Sequence, residues 1–445
     1  MAVSPARKSA FDILLSVERG HGHSDDLLRG WAVSALSMQD RNLATALVLG
    51  VLRWQLTLDD RLRPLLKRPH AKLDAEVLIA LRLGAFQLLH FDRIPASAAI
   101  DESVELTKLS GHRFASAMVN AVLRRLAGQA GEEVIPRPDA SRDLRAHPAW
   151  MRERWLSFFG AHTTCGICAH GQLQPTLAMR MQSPEVEEEV ARTGVRLSSG
   201  SLLTGARIVD SGDITATVAF REGRVRIQDE GSQLVAEIAG QGSQILDCCA
   251  APGGKTLILS ERNPQARVFA LEANPQRLEA LSTRLAPLAN RVQCRLTDAR
   301  YLHDEAAYDL VLADVPCSGT GTLGRNPEIR YRLQLSDLAR QAERQAAILE
   351  NALHAAQPGG RVVYSTCSLE PEENEHVVAA ILKCHPVARV IPLAARLEAM
   401  RQERILTDAG FNILEASLTP EGYLRLFPGA AGTDGFFVAM LEKSS

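Results

Sequence analysis

Two cysteines stand where a sheet could present its chemistry. Cys317 lies in DVPCSGTG and Cys367 in YSTCSL, and each follows a short apolar run that reads as a buried strand. A thiol so placed becomes a nucleophile once it is a thiolate. Alkylation at carbon 5 of a pyrimidine demands one. That carbon is a poor nucleophile until a thiolate adds at carbon 6; a base must then remove the carbon-5 proton before the thiolate leaves. Such a site needs a thiol, a group for the pairing edge of the ring and a second acid/base. Asp314, three residues before Cys317, can hydrogen-bond the ring nitrogen and amino group of a cytosine, and Lys255 is a neighbour that favours a thiolate. The Asn/Asp-Pro-Pro-aromatic pattern suited to amine methylation is replaced here by Asp314-Val315-Pro316-Cys317. Cys248, Cys249, Cys294 and Cys384 read as packing.

The other candidate residues also fall at strand ends. The segment Asp247-Cys248-Cys249-Ala250-Ala251-Pro252-Gly253-Gly254-Lys255 follows the strand QILD; its small residues let backbone approach a bulky ligand. Glu272 ends the next strand, where an acid suits a ribose diol, and Asp298 at the third can accept from an adenine amino group. A P-loop needs glycine with four residues between it and Gly254-Lys255-Thr256, and Cys249 stands there; G-x-G-x-x-G is absent. S-adenosylmethionine fits the remaining pattern.

The elements that position these residues follow from periodicity. From about residue 228, apolar strands (QILDCC, RVFALE, VQCRLTD, YDLVLAD, RVVYSTC) alternate with amphipathic helices, and GYLRLFP with DGFFVAMLE forms a terminal strand pair: a doubly wound, seven-stranded α/β sheet. Residues 5 to about 127 read as helix after helix, an all-α domain over 1–130. Between them, 131–227 reads as a linker and a small α+β unit, with a helix at Trp150–Phe159 and strands in TLAMRMQ, ARIVD, TATVAF and RVRI. The Pro- and Gly-rich stretch Gly128–Trp150 reads as the connection.

The motifs DCCAAPGGK, DVPCSGTG and YSTCSL, with QDEGSQ at Gln228–Gln233 and RLFP…DGFF, resemble the Sun/Fmu family of RNA cytosine-C5 methyltransferases over residues 228–441. The resemblance implies a class I, Rossmann-like methyltransferase domain over 228–445. It implies Cys367 as nucleophile, Cys317 as the assistant of product release, and cofactor contacts at Cys249 through Lys255, Glu272, Asp298 and Asp314. Glu272 departs from the aspartate common there, and its longer arm still reaches a diol. RNLATALVLGVLRW and NAVLRRLAG resemble the NusB-like RNA-binding domain. That pairing is similar to bacterial enzymes modifying a cytosine of 16S ribosomal RNA, the expected partner; DNA is not expected. The alternatives are the same reaction on transfer RNA, or a non-catalytic RNA-binding assembly factor.

Whole-chain properties bound this reading. The 445 residues suit two or three domains, and the net charge of −2 advertises no global field for nucleic acid. No secretory signal or 18-residue apolar run is apparent, Arg82 interrupting VLIALRLGAFQLL, so a cytoplasmic protein with eight reduced cysteines and no membrane partner is expected. His162, Cys165, Cys168 and His170 have metal-like spacing, but on a helix Cys165 and Cys168 share an inward face and His170 points elsewhere, so no metal is expected. Seven arginines between Arg262 and Arg300 read mostly as a solvated surface. Arg325, Arg330 and Arg332, just after the Cys317 turn, are expected to meet RNA phosphate.

Overall fold

A computed structural model describes residues 3–130 and 140–444. The chain divides into two compact units, Met1–Gln174 with Leu323–Arg332, and Pro175–Thr322 with Leu333–Ser445. This departs from the expected three-part division. The helix expected at Trp150–Phe159 runs over Ala149–Gln172, broken by positive φ at Gly160, and belongs with the helical unit. The small sheet of the middle region belongs with the strand-helix unit instead. Of the expected connection, residues 131–139 lie outside the described residues, and Ala140–Arg145 is helical.

The helical unit is built from long amphipathic helices at Pro5–Glu18, Met38–Leu62, Ala75–His90, Ala96–Leu109 and Ser116–Ala130, around Leu47, Val51, Leu81, Phe86, Val119 and Leu123. Its unexpected member is the segment Leu323–Arg332. Arg330, only 1% exposed, donates to the carbonyls of Arg53 (2.8 Å) and Gly171 (2.7 Å). Arg53 donates back to the Gly324 carbonyl at 2.8 Å, Glu328 accepts from the Ser24 amide and hydroxyl, and Tyr331 donates to Leu52 O. Arg332 donates to Gly22 O. The expected phosphate role for Arg330 is therefore corrected: its two terminal nitrogens are spent on buried backbone carbonyls, and the half-buried Arg332 has one nitrogen on Gly22 O.

The second unit carries two sheets. The smaller holds β1 (Ala178–Met181), β2 (Arg196–Ser199), β3 (Ala206–Ser211) and β4 (Val225–Ile227), in the order β2-β3-β1-β4 and wholly antiparallel. The strand expected in TATVAF is instead a turn and the short helix Val218–Arg221. Asp213 and Thr217 cap the amides of Thr215 and Phe220, and this local capping outweighs the β-branched run. β2, an edge strand without apolar alternation, gave no signal in the sequence.

The larger sheet has eight strands where seven were expected: β5 (Gln244–Asp247), β6 (Arg267–Glu272), β7 (Val292–Leu296), β8 (Tyr308–Asp314), β9 (Ala356–Thr366), β10 (Ala388–Val390), β11 (Leu424–Leu426) and β12 (Phe436–Lys443). The strand missed was three-residue β10. The order is β10-β12-β9-β8-β5-β6-β7, with β11 paired to β12. β5 through β9 run parallel and β12 runs against β9. Apolar residues fill both faces, with Leu259, Leu281 and Leu312 in one core cluster and Val311, Leu349 and Tyr364 in the other. The order reverses between β5 and β8, and a crevice opens at such a switch point beyond the strand ends.

Candidate active site

The expected residues gather in that crevice. A cavity of about 210 Å³ is lined by Cys249, Ala251, Glu272, Asp298, Asp314, Cys317 and Cys367. The remaining turn residues, Ala250, Pro252, Gly253, Gly254 and Lys255, continue from that lining into the helix Gly254–Arg262. Gly253 makes the turn possible: its φ is +100°, and a Cβ would lie 2.9 Å from Leu281.

Two arginines from the expected solvated group hold the turn. Arg277 donates to Ala251 O at 3.0 Å and Arg284 to Pro252 O at 2.9 Å. Others in that group are engaged as well: Arg262 with Glu237, Arg291 with Ser260 O, Arg295 with Asp304 and Arg300 with Asp298. Their common job is to tie loops and helices together, which sequence spacing did not reveal.

The acids differ in what they already hold. Glu272 accepts from the Asn274 amide at 2.8 Å, with Arg277 at 3.6 Å. Asp298 accepts from the Arg300 side chain and amide, and these bonds hold its carboxyl below the usual range. Asp247 is fully buried. Burial pushes its carboxyl up to about 6 against a hydrogen bond from Thr256, and its Oδ1 has no partner.

The reactive centre lies at the ends of β8 and β9. Cys317 Sγ and Cys367 Sγ are 3.3 Å apart. The hydrogen bond to Cys367, then burial, hold the Cys317 thiol well above its ordinary range. Lys255 Nζ lies 2.7 Å from Asp314 and donates to Ser232 Oγ at 2.8 Å. Burial opposes its charge, but Asp314 and the nearby Cys367 sulfur keep the ammonium favoured. Ser365 donates to the other Asp314 oxygen at 2.7 Å. The QDEGSQ element thus supplies Ser232 to Lys255, while its Glu230 accepts from the amides of Ser201, Leu202 and Leu203. Gly321 shows why small residues surround the thiols. Its amide donates to Cys367 O, its carbonyl accepts from the Gly435 amide, and a Cβ would lie 2.6 Å from Gly435 O and 2.8 Å from Cys367 O.

Sequence reasoning missed Arg344. It lines the cavity from the helix Leu335–Ala355, and its Nε is buried without a partner. It sits mid-helix rather than at a strand end, so only a helical-face argument from the cavity side could have found it. At the metal-like tetrad the helix continues through Cys165 and Cys168, and Cys168 is buried. Among the described residues, only Glu350, His354 and His385 bring three possible donor atoms within 4.8 Å of one another. No helix among them is long and apolar enough to cross a membrane.

Comparison with known proteins matches the sequence to two families. A family model described as 16S rRNA methyltransferase RsmB/F matches residues 238–442, and the NusB family model matches 4–128. A probable ribosomal RNA small subunit methyltransferase B of Bacillus subtilis is 31% identical over 463 residues, covering 100% of both chains. A ribosomal RNA small subunit methyltransferase B of Pseudomonas putida is 32% identical over 418 residues, covering 91% of each. In fold, the crystal structure of PH0851 aligns over 100% of both chains with TM-score 0.77 at 23% identity.

Proposed function

The chain belongs to the RsmB/F family of 16S rRNA methyltransferases, and from that premise we propose that it methylates carbon 5 of a cytosine in 16S ribosomal RNA through a covalent bond from Cys367. At the coarser level it is an S-adenosylmethionine-dependent methyltransferase of ribosomal RNA. The observation that carries the finer reading is the 3.3 Å approach of two thiols in an acid-lined cavity. Transfer to an exocyclic amine has no use for a thiol.

The cavity suits the cofactor. Glu272 and Asp298 offer carboxylates from successive strand ends to ribose hydroxyls and an adenine amine, and the Cys249–Lys255 turn offers backbone. S-adenosylmethionine supplies an electrophilic methyl group. Every other task falls to side chains. The target base must be unpaired or flipped out to reach the sulfur. Asp314, held by Lys255 and Ser365, takes its pairing edge. The Cys367 sulfur, as thiolate, adds to carbon 6 and drives the ring electrons to carbon 5, which takes the methyl. Once Cys367 is bonded to carbon it carries no charge. The interactions that held the Cys317 proton are then gone, apart from burial and the more distant Glu373. Cys317 then gives its proton to solvent water and, as thiolate, takes the carbon-5 proton. The electron pair of that C–H bond restores the 5,6 double bond and expels Cys367 as thiolate.

The test is transfer of labelled methyl from S-adenosylmethionine to 16S and transfer RNA from a strain lacking the protein, followed by bisulfite sequencing. One protected cytosine in 16S RNA is expected. Label on an exocyclic nitrogen, or in transfer RNA alone, refutes the assignment. No label in any RNA or ribosomal particle indicates a non-catalytic assembly role.

A further inference from the structure

Each reactive cysteine is followed by a serine, and both serines reach one buried carboxylate. Glu373, in the turn Pro371–Glu373 after β9, is 0% exposed. Its Oε1 accepts from the Ser318 amide at 2.8 Å and from Gln345 Nε2 at 2.9 Å. Its Oε2 accepts from the hydroxyls of both Ser318 and Ser368. Gln345 Nε2 also donates to Pro316 O at 3.0 Å, and Tyr364 fixes the Glu373 carbonyl at 2.6 Å. One acid therefore binds the residue after Cys317 and the residue after Cys367, and Gln345 links it to the carbonyl before Cys317. Hydrogen bonds to an ionised carboxylate are stronger than those between neutral groups, and removing this acid leaves the Ser318 amide without its acceptor and cuts the link between the two serines and Gln345.

We propose that Glu373 is a positioning residue for the methyl transfer, clamping the loops of Cys317 and Cys367 so that the two sulfurs stay within reach of one another. The chemical role of those sulfurs rests on the function proposed above; the clamp itself does not. Its negative charge has a second effect, because together with Cys367 it favours the protonated form of Cys317. Asp314 and Lys255 are paired with each other in the same centre. The resting site thus keeps its two sulfurs unlike: one held as a thiol, the other beside an ammonium.

The test uses the full-length protein and a trivalent arsenical, phenylarsine oxide, which is held tightly only when two thiols are close enough to bridge. Wild type, Glu373→Ala, Glu373→Gln and the milder Ser318→Ala are compared for arsenical binding, S-adenosylmethionine binding and turnover. Glu373→Ala is expected to weaken arsenical capture at least tenfold and to lower kcat, with cofactor affinity within twofold. Ser318→Ala shifts both in the same direction by less. Glu373→Gln leaves an oxygen for the amide donors, and the serine hydroxyls can rotate to accept from its nitrogen. It is expected to retain arsenical capture while alkylation of Cys317 by iodoacetamide moves to lower pH. Unchanged capture and kcat in both Glu373→Ala and Ser318→Ala overturn the clamp. If Glu373→Ala does not fold, Ser318→Ala and Glu373→Gln decide. If wild type methylates no RNA, the proposed function fails, and arsenical capture alone decides the clamp.

Discussion

Two pairs of cysteines end strands of the same sheet, and they have opposite fates. Cys248 and Cys249 follow β5; burial pushes both thiols up, and the Arg344 guanidinium only partly opposes it at Cys249. Cys317 and Cys367 follow β8 and β9, touch each other, and have Lys255 at hand. In the function proposed above, the β5 pair belongs to a turn that offers backbone to a cofactor, whereas the second pair offers sulfur. Being at a strand end therefore does not make a cysteine reactive. In the proposed function, what sets the second pair apart is a second thiol and an ammonium within reach.

The sharpest way to break this comparison is Cys367→Ala. Turnover is expected to fall roughly a thousandfold or more, as for loss of a nucleophile, while calorimetry finds S-adenosylmethionine still bound. Activity near wild type would erase the distinction between the pairs. Cys317→Ala is expected to stall after methyl transfer and accumulate a protein–RNA adduct that survives denaturing gels. An adduct seen only in the Cys367 variant would exchange the two roles. Asp298→Ala acts on the cofactor side, with affinity about tenfold weaker by calorimetry and kcat at saturating cofactor nearly retained. Asp247, just before Cys248, offers a pH test. Its carboxyl is raised from 3.8 to about 6, so the fold favours the protonated form. The resulting stabilisation is complete below about pH 4 and is lost as pH climbs through about 6. Asp247→Asn should therefore add about 1–3 kcal/mol at pH 7.5 and almost nothing at pH 4, read from urea midpoints. An equal gain at both pH values would mean that ionisation is not the cause. The smallest effect belongs to Cys248→Ala: turnover within twofold and a loss of about 1 kcal/mol from a small cavity.

Much of this centre could be read from the sequence because strands point their last residues one way. Glu272, Asp298, Asp314, Cys317 and Cys367 were all found by asking what ends each apolar run, and all line one cavity. Residues acting through other side chains left no such mark. Arg344 lies mid-helix, Ser232 sits 23 residues before the lysine it holds, and Glu373 is one acid in the run Glu370–Glu375, where sequence cannot say which is buried. The arginines misled for a related reason. A guanidinium looks the same in a sequence whether it faces a phosphate or, like Arg330, three buried carbonyls. The short strands β2 and β10 were invisible because pairing, not alternation, makes them.

The segment Leu323–Arg332 bears on how this protein can change over generations. It begins six residues after Cys317, belongs to the helical unit, and the chain then returns to the sheet unit at Leu333. A gene fusion or deletion that trades the region before Pro175 for another would leave Glu328, Arg330 and Tyr331 behind without Ser24, Arg53, Gly171 and Leu52. The orphaned arginine would lie thirteen residues after Cys317. The two units are thus bound to be inherited together, since recombination at a single point between them would discard the partners of a segment written into the middle of the other.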